Sequence, residues 1–291
     1  MKDHLWTPVG TQQYGFRGRF IGVGKPSVVT DSSTAPLPQD EQVVIRNIIV
    51  NEPSLNHVGL FGSLDTAQIR GIKLEAIFAR GGQYVGGMAG KSVYSKFDNC
   101  VVADSIEDAS TTSILTTHYV SGGFIGRSDH DEINNSTFVA KYVGDAVYSG
   151  GVLGYGTSST VTNTGGLNIS RMNGLYIGGL AGYLDGEAPH TRMIFFRTEG
   201  EPSTIANNYV RLLAESKGQQ RVGGVVGYAE NTVLENNYAY GDMHMADLHG
   251  GVAGALSDNT QTNHNYYASA AADRVVGVAS ASASQSDNAS L

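Results

Sequence analysis

The fold is decided by seven variants of one short phrase: VGLFG (58–62), VGGMAG (85–90), SGGFIG (121–126), SGGVLG (149–154), IGGLAG (177–182), VGGVVG (222–227) and HGGVAG (249–254). Their last glycines are separated by 28, 36, 28, 28, 45 and 27 residues. A period of this length is typical of a stacked array, in which each repeat contacts only its neighbours. Because the repeat runs through most of the 291 residues, it predicts one elongated domain.

A second phrase, centred on asparagine, follows the first. Nine residues after four of the glycines stand Asn99, Asn135, Asn163 and Asn236. The same distance after the first phrase gives Gly71, and after the fifth phrase the partner is Asn207, 25 residues on. After the last phrase, Asn263 and His264 are alternative registers. Since Gly and Asn tolerate the left-handed conformation, these positions predict corners, and stacked asparagines are able to form a hydrogen-bonded ladder.

The runs between the corners predict strands, because they are short, rich in β-branched and aromatic residues, and bounded by Gly and Asn. No window keeps an apolar 3.6-residue period for three turns, and residues 207–217 are the closest candidate for a helix. A unit of about 28 residues cannot bury its own apolar face, but stacking does bury it. The predicted core column contains Leu60, Met88, Phe124, Val152, Leu180, Val225 and Val252.

We therefore predict an all-β fold, a single-stranded right-handed parallel β-helix (solenoid) of roughly eight rungs, where a rung is one turn of the solenoid. Right-handedness is expected because parallel crossovers almost always have this hand. The array is predicted to span residues 1–278. Residues 279–291, ASASASQSDNASL, are of low complexity and predict a linker or a disordered tail.

Composition excludes several classes of protein. The net charge is −8 with no basic cluster, which argues against nucleic-acid binding. The single cysteine, Cys100, rules out an intrachain disulfide or a multi-cysteine zinc site and is expected to be buried. No apolar run approaches the roughly 18 residues of a membrane span. The first six residues lack a signal-peptide pattern, so we expect a cytosolic protein or an excised piece of an exported one.

The repeats resemble the GLUG motif. The resemblance is carried by GGLAGY (178–183) and GGVVGY (223–228), each followed by an Asn-Asn-Tyr strand, and by the opening WTPVG (6–10) and FRGRFIGVG (16–24). It covers about residues 5–270. GLUG-motif repeats occur in bacterial secreted and cell-surface proteins that are often described as adhesins. Similar repeats accompany immunoglobulin A1 metalloproteases, whose zinc site lies in a separate domain, but this chain contains no H-E-x-x-H.

Two columns of tyrosines are candidates for ligand binding. Tyr84, Tyr148 and Tyr176 stand six residues before the last glycine of their phrases, whereas Tyr155, Tyr183 and Tyr228 stand one residue after it. An aromatic strip is able to bury the apolar face of a sugar ring. Alternatively, the tyrosines only cover the ladder between rungs. The pairs Tyr148/Tyr176 and Tyr155/Tyr183 fall on successive repeats, so each pair is predicted to stack.

Insertions and acidic residues supply the other candidates. Two insertions interrupt the period, at residues 104–118 and 184–204, and the second contains Glu187, His190 and Arg192. Loops on a scaffold often bind ligands, although these insertions are equally explained by neutral drift. A polar loop is predicted between residues 27 and 42. The cluster Asp129, His130, Asp131 and Glu132 suits a cation such as Ca²⁺, or is simply a solvated corner.

These observations favour a non-catalytic role. We expect an extracellular solenoid of a bacterial surface or secreted protein, with no cofactor and no metal, acting in adhesion or as a stalk that presents further domains. Its expected partner is a host glycan or a host surface protein. One alternative is a carbohydrate-active β-helix enzyme, which would need carboxylates roughly 5 to 10 Å apart. Acidic residues do not align in the column that precedes the corner asparagine. The other alternative is the accessory region of a secreted protease.

Overall fold

The computed structural model describes residues 4–22, 42–103, 113–116, 119–139, 142–169, 171–187, 190–192, 196–198, 200–213, 218–244, 246–268 and 270–291. In these ranges every regular element is a strand, and strands of successive repeats pair in parallel. The fold is a parallel β-helix, which confirms the predicted class; the number of rungs stays a prediction. None of the described segments forms a helix with the length and hydropathy of a membrane span.

Sheet 1 has eleven strands. They are His4–Leu5, Ile48–Asn51, His57–Val58, Phe78–Gly81, Tyr84–Gly86, Ser113–Thr116, Val120–Gly122, Tyr142–Gly150, Arg171–Gly178, Gly218–Gly223 and Ala246–Gly250.

Sheet 2 has sixteen strands in two ladders that share the long strand Phe61–Arg70. Its other strands are Phe16–Ile21, Ala89–Val93, Lys96–Asp98, Ile125–Asp129, Glu132–Asn134, Leu153–Thr157, Thr160–Thr162, Ala181–Asp185, Ser203–Ala206, Val226–Glu230, Thr232–Glu235, Ala253–Leu256, Gln261–Asn263, Val276–Ala279 and Ser284–Ser286.

Sheet 3 has nine strands, and a separate antiparallel hairpin pairs His190–Arg192 with Phe196–Thr198. The strands of sheet 3 are Val43–Arg46, Ile72–Glu75, Val101–Ala103, Thr137–Val139, Gly165–Ile169, Tyr209–Leu213, Tyr238–Asp242, Tyr266–Tyr267 and Ala289–Ser290.

The core is the predicted set of apolar columns. All seven members of the column from Leu60 to Val252 are at most 1% exposed. The next residue of each phrase continues in register from Phe61 through Ala89 and Ile125 to Ala253, and these side chains are buried as well. The glycines permit close approach: a Cβ on Gly150 would lie 1.8 Å from the carbonyl oxygen of Leu153. The repeated phrase is therefore a packing unit between neighbouring rungs.

The asparagine-centred corners adopt the predicted left-handed conformation. Asn99, Asn135, Asn163, Asn207 and Asn236 have φ between 48° and 58°, and Gly71 has φ of 66°. His264, with φ of 51°, occupies the last corner, whereas Asn263 pairs with Glu235 inside the preceding strand. The register of this corner therefore follows the match to the local Asn-Asn-Tyr sequence of the other repeats and not the nine-residue spacing from the glycine.

A buried asparagine ladder lies one residue after these corners. Asn208 donates through Nδ2 to Oδ1 of Asn237 at 2.9 Å, and Asn237 donates in the same way to Asn265 at 2.8 Å. Asn265 donates to Asn288 at 3.0 Å, and the same column continues towards the start of the chain through Thr164 and Ser136. The ladder was predicted from the corner asparagines themselves, and it is formed chiefly by the residue that follows them.

The last thirteen residues are part of the array. Ser284–Ser286 pairs in parallel with Gln261–Asn263, and Ala289–Ser290 pairs with Tyr266–Tyr267. The prediction of a linker or disordered tail was therefore wrong for this segment. Its Ser- and Ala-rich composition supplies little apolar surface, but the exposed edge of the preceding rung supplies backbone partners for it.

Two other expectations concern single segments. The closest candidate for a helix, residues 207–217, contains the strand Tyr209–Leu213, and residues 214–217 lie outside the described part of the chain.

Cys100 is fully buried, as expected, and burial raises the pKa of its thiol to about 12. Apart from Gln42, the loop predicted at 27–42 lies outside the described residues. Most of the insertion at 104–118 also lies outside them.

Candidate functional site

The two predicted tyrosine columns lie on adjacent strands. In sheet 1, Tyr148 pairs in register with Tyr176. In sheet 2, Tyr155 pairs with Tyr183 and Tyr183 pairs with Tyr228. Only the two central residues of each phrase separate the sheet 1 strand from the sheet 2 strand, so both columns border the same corner of the solenoid.

The rings of each column contact one another along the solenoid axis. Tyr155 and Tyr183 are stacked, with centroids 4.9 Å apart and planes inclined by 8°, and Tyr183 stacks on Tyr228 at 4.6 Å. Tyr148 and Tyr176 are 5.2 Å apart and tilted by 32°. The predicted stacking is confirmed for the first pair, whereas the second pair is in contact but tilted. The tyrosine rings therefore do cover the backbone ladder between successive rungs.

The columns also interlock across the corner. Tyr148 meets Tyr155 and Tyr183 edge to face, at 5.5 and 5.1 Å, and Tyr176 meets Tyr228 at 5.9 Å. We name the resulting surface the tyrosine strip. It contains Tyr84, Tyr119, Tyr148, Tyr155, Tyr176, Tyr183 and Tyr228.

Tyr119 was not found from the sequence. It lies 6.5 Å from Tyr84 and 5.6 Å from Tyr148, and so it joins two tyrosines that lie two rungs apart in the aligned column. The aligned position between them is Val120, which is buried, while the Tyr119 side chain beside it is 43% exposed. The signal that would have found Tyr119 is an aromatic residue one place before the column.

Two arginines contact rings of the tyrosine strip. Arg127 lies over Tyr155, with its guanidinium carbon 5.0 Å from the ring centroid, and within 5.9 Å of the Tyr84 ring. Arg221 lies over Tyr176 at 5.2 Å and donates a hydrogen bond from Nη1 to the Tyr176 hydroxyl at 2.8 Å. Both arginines occupy column positions, since Arg127 pairs with Tyr155 and Arg221 pairs with Tyr176. Cation–π contacts of this kind fix the guanidinium groups at the surface.

A depression of about 410 Å³ continues the strip beyond Tyr176. Its lining residues are Leu175, Tyr176, Arg221, Asp247 and Leu248. Leu175 is 51% exposed, and the buried Nε of Arg221 has no hydrogen-bond partner among the described residues. The depression thus combines apolar walls with a guanidinium group and a carboxylate in its lining.

A carboxylate pair borders the strip on sheet 2. Asp185 and Glu230 are paired in register on neighbouring strands, two residues after Tyr183 and Tyr228. The pKa of Asp185 is raised, first by burial and then by the charge of Glu230. The sequence alignment missed this pair because it examined only the column that precedes the corner asparagine.

The tyrosine hydroxyls are neutral hydrogen-bonding groups. Burial raises the pKa of Tyr148 and Tyr155 to about 12, and the neighbouring phenol of Tyr119 acts in the same direction on Tyr148. The pKa of Tyr183 is also raised, mainly by burial. Neutral phenols both donate and accept hydrogen bonds, so the strip presents apolar ring edges together with polar hydroxyls.

The candidates in the second insertion lie apart from the tyrosine strip in the contacts described. Oε1 of Glu187 is 3.5 Å from Nε2 of His130, which stacks on Tyr94. His190 and Arg192 belong to a strand of the hairpin, and their side chains lie outside the described part of the structure.

The acidic cluster at 129–132 does not converge on one point. Asp131 is 1% exposed and accepts hydrogen bonds from the hydroxyls of Ser92 and Ser128 and from the backbone N–H of Ser95. Asp129 pairs with Arg127, and Glu132 pairs with Lys96. The expectation of a solvated corner was therefore wrong for Asp131, because these donors enclose its side chain in the turn between the strands Ile125–Asp129 and Glu132–Asn134.

Comparison with known proteins adds no relative. No family model matches the chain, and no curated protein or solved structure is significantly similar to it. The resemblance to GLUG-motif proteins stays a prediction from the residues quoted above.

Proposed function

We propose that this protein is a non-catalytic carbohydrate-binding solenoid, which acts in adhesion at a bacterial surface or as part of a secreted protein. The observation that carries the binding role is the tyrosine strip, with its two arginines and the depression at one end. The extracellular setting rests on the resemblance to GLUG-motif repeats. The proposed partner is a host glycan, either free or attached to a host surface protein.

The chemistry of the strip suits a carbohydrate better than an apolar ligand. Because the rings stack on one another, their edges and hydroxyls rather than their full faces are directed outwards. Neutral phenols and guanidinium groups hydrogen-bond to sugar hydroxyls, while ring edges and Leu175 contact the C–H groups of the sugar. From Tyr84 to Tyr228 the strip crosses four strand spacings, or about 19 Å at about 4.8 Å each. It therefore accommodates an oligosaccharide rather than a single sugar.

The test is a glycan-array screen followed by calorimetric titration of the best ligand. Tyr119→Ala is the first variant, because Tyr119 is the most exposed member of the strip. We expect it to weaken binding about tenfold, in line with the loss of one aromatic contact. Tyr176→Phe removes the hydroxyl that Arg221 contacts and is expected to weaken binding several-fold.

The matched control is Tyr240→Ala. Tyr240 also has a stacked tyrosine neighbour, Tyr238 at 5.8 Å, and an arginine, Arg211, over its ring, but it belongs to sheet 3. Binding should survive in this variant. Absence of any glycan ligand, or equal losses in Tyr119→Ala and Tyr240→Ala, would contradict the proposal.

The carboxylate pair favours a carbohydrate-active enzyme as the second candidate. Asp185 and Glu230 stand at paired positions of neighbouring strands, whose backbones are about 4.8 Å apart, and this spacing allows their carboxyl groups the roughly 5 Å separation of retaining glycosidases. Incubation of the bound glycan with the protein distinguishes the two functions. New reducing ends that disappear in Asp185→Asn would establish the enzyme, and an intact glycan would support simple binding.

A further inference from the structure

A second cluster of polar, titratable side chains lies near the C-terminal end of the array, beside the repeated phrase HGGVAG (249–254). His249 occupies the first position of that phrase and pairs in register with Val222. The corresponding residues of the other phrases are fully buried: Val58, Val85, Ser121, Ser149, Ile177 and Val222. An imidazole therefore stands at a position that the other repeats fill with small or aliphatic core residues, and its side chain is 14% exposed.

The orientation of the His249 ring leaves one nitrogen available as a ligand. Nδ1 lies 2.9 Å from the carbonyl oxygen of Ala246, and a carbonyl oxygen only accepts, so Nδ1 carries the proton. In the neutral ring the lone pair is then on Nε2. This buried Nε2 has no hydrogen-bond partner among the described residues, and Oδ2 of Asp273 lies 3.8 Å away.

His244 faces the same carboxylate. Its Nδ1 is 3.1 Å from Oδ1 of Asp242, and its Nε2 is 3.6 Å from Oδ1 of Asp273. The Asp242 carboxylate therefore orients the His244 ring as the Ala246 carbonyl orients His249. Hydrogen bonds from the second ring nitrogen to a carboxylate or a carbonyl are the usual support of metal-binding histidines.

We propose that His244, His249 and Asp273 bind a divalent transition-metal ion of the zinc type. The three ligand atoms lie within 4.8 Å of one another. Bonds of about 2.1 Å in a tetrahedral site place ligand atoms about 3.4 Å apart, close to the two histidine–carboxylate separations found here. Without a metal, the lone pairs of the two neutral imidazoles and the Asp273 carboxylate repel one another. A cation bound between the three groups would be coordinated by all of them and would remove this repulsion.

The ligand set selects the class of metal. Imidazole nitrogen suits zinc, copper and nickel, whereas calcium and magnesium take oxygen ligands almost exclusively. Three protein ligands leave a fourth tetrahedral position for water, in keeping with side chains of Asp273 and His244 that are 76% and 40% exposed.

The position of the site gives the metal a structural role. His244 lies just before the strand Ala246–Gly250 and His249 lies within it, while Asp273 lies in the segment that leads to the next strand of the array, Val276–Ala279. The metal would therefore join two successive turns near the end of the solenoid. Terminal repeats lack a neighbour on one side and need such protection.

Calorimetric titration of the chelator-treated full chain with ZnCl₂ tests the site. We expect one bound Zn²⁺ per chain, no competition by Ca²⁺, and a melting temperature about 5 °C higher with Zn²⁺ at a hundredfold excess over its Kd. Asp273→Asn, an exposed position that is safe for folding, should weaken binding at least about tenfold, as should the orienting variant Asp242→Asn. His249→Ala should abolish binding.

The matched control is His264→Ala. His264 is also an exposed histidine near an aspartate, with Nε2 3.7 Å from Oδ2 of Asp287, but it lies outside the cluster. It should leave Zn²⁺ affinity unchanged. Absence of stoichiometric Zn²⁺ binding would show that the cluster is an ion pair only, and equal affinities in Asp273→Asn and His264→Ala would show non-specific histidine binding; either result overturns the proposal.

Discussion

At the scale of single residues, one buried carboxyl shows how the array satisfies a polar group in its interior. This carboxyl, of Asp131, is 1% exposed and accepts from three donors: the Ser92 hydroxyl and the Ser95 backbone N–H of the preceding rung, and the Ser128 hydroxyl of its own rung. Burial nevertheless dominates and raises its pKa to about 7. The local sequence Asp129-His130-Asp131-Glu132 indicates charge but not which side chain points inwards. The sequence therefore predicted that Asp131 lies near a corner, but not that its carboxyl is buried.

Asp131 should make the stability of the protein pH-dependent. Its folded-state pKa lies above its unfolded value of about 3.9, so the unfolded state loses the proton first as pH rises. The free energy of unfolding should therefore fall from about pH 4 upwards and level off above about pH 7. Urea titrations between pH 4 and 8 measure this loss, which is on the order of 4 kcal/mol at most.

The variant Asp131→Asn removes the titrating group and should flatten the profile. Asp129→Asn is the control, because Asp129 is partly exposed and paired with Arg127. A wild-type profile that Asp131→Asn leaves unchanged would contradict the assignment to this carboxyl.

At the scale of elements, two adjacent asparagines have different roles, since the first forms the corner and the second belongs to the hydrogen-bonded ladder. Asn236 adopts φ of 53° on the surface, whereas Asn237 is 1% exposed and bonded to rungs on both sides. The sequence identified the Asn-Asn pair as a corner from composition and spacing. It did not show which of the two is buried, because that depends on the direction in which the next strand leaves the corner.

The two asparagines should respond very differently to mutation. Asn237→Ala removes hydrogen bonds to Asn208, Ile205 and Asn265 and leaves buried partners unsatisfied. At about 1–3 kcal/mol for each unsatisfied group, we expect a loss of at least about 3 kcal/mol in the free energy of unfolding. Asn236→Gly, at a left-handed exposed position, should change it by less than about 1 kcal/mol. Denaturant titration of both variants checks this, and similar losses would mean that the ladder does not hold the rungs together.

At the scale of the whole molecule, the C-terminal residues close the array. Asn288 accepts hydrogen bonds from the backbone N–H and the side-chain amide of Asn265, and Ser284–Ser286 covers the strand before it. These contacts join distant parts of the chain, so composition alone did not indicate them.

Deletion of residues 280–291 should therefore destabilise the protein. It exposes the edge strand Gln261–Asn263 and removes the Asn288 oxygen that accepts from the backbone N–H and the side-chain amide of Asn265, and we expect the melting temperature to fall by about 5 °C. Asn288→Ala in the full chain should reproduce part of this loss. An unchanged melting temperature in thermal denaturation would restore the alternative that this segment is a linker.

The sequence by itself determined the class of fold, the core columns and the asparagine-centred left-handed corners. These features are local, since each repeat encodes its own glycines, asparagine and inward-facing residues, and about 28 residues suffice to specify them. It also aligned six tyrosines in two columns and placed the pairs Tyr148/Tyr176 and Tyr155/Tyr183 on successive repeats.

Only the tertiary structure decided how the columns meet. Insertions of different lengths shift the sequence distance between rungs, so Asp185 and Glu230 become neighbours although 45 residues separate them. The same holds for Tyr119 in the tyrosine strip and for His244, His249 and Asp273 near the end of the array. A repeat specifies its own shape, but contact between side chains of different repeats depends on register and on the corner between sheets, and these exist only once the rungs are stacked.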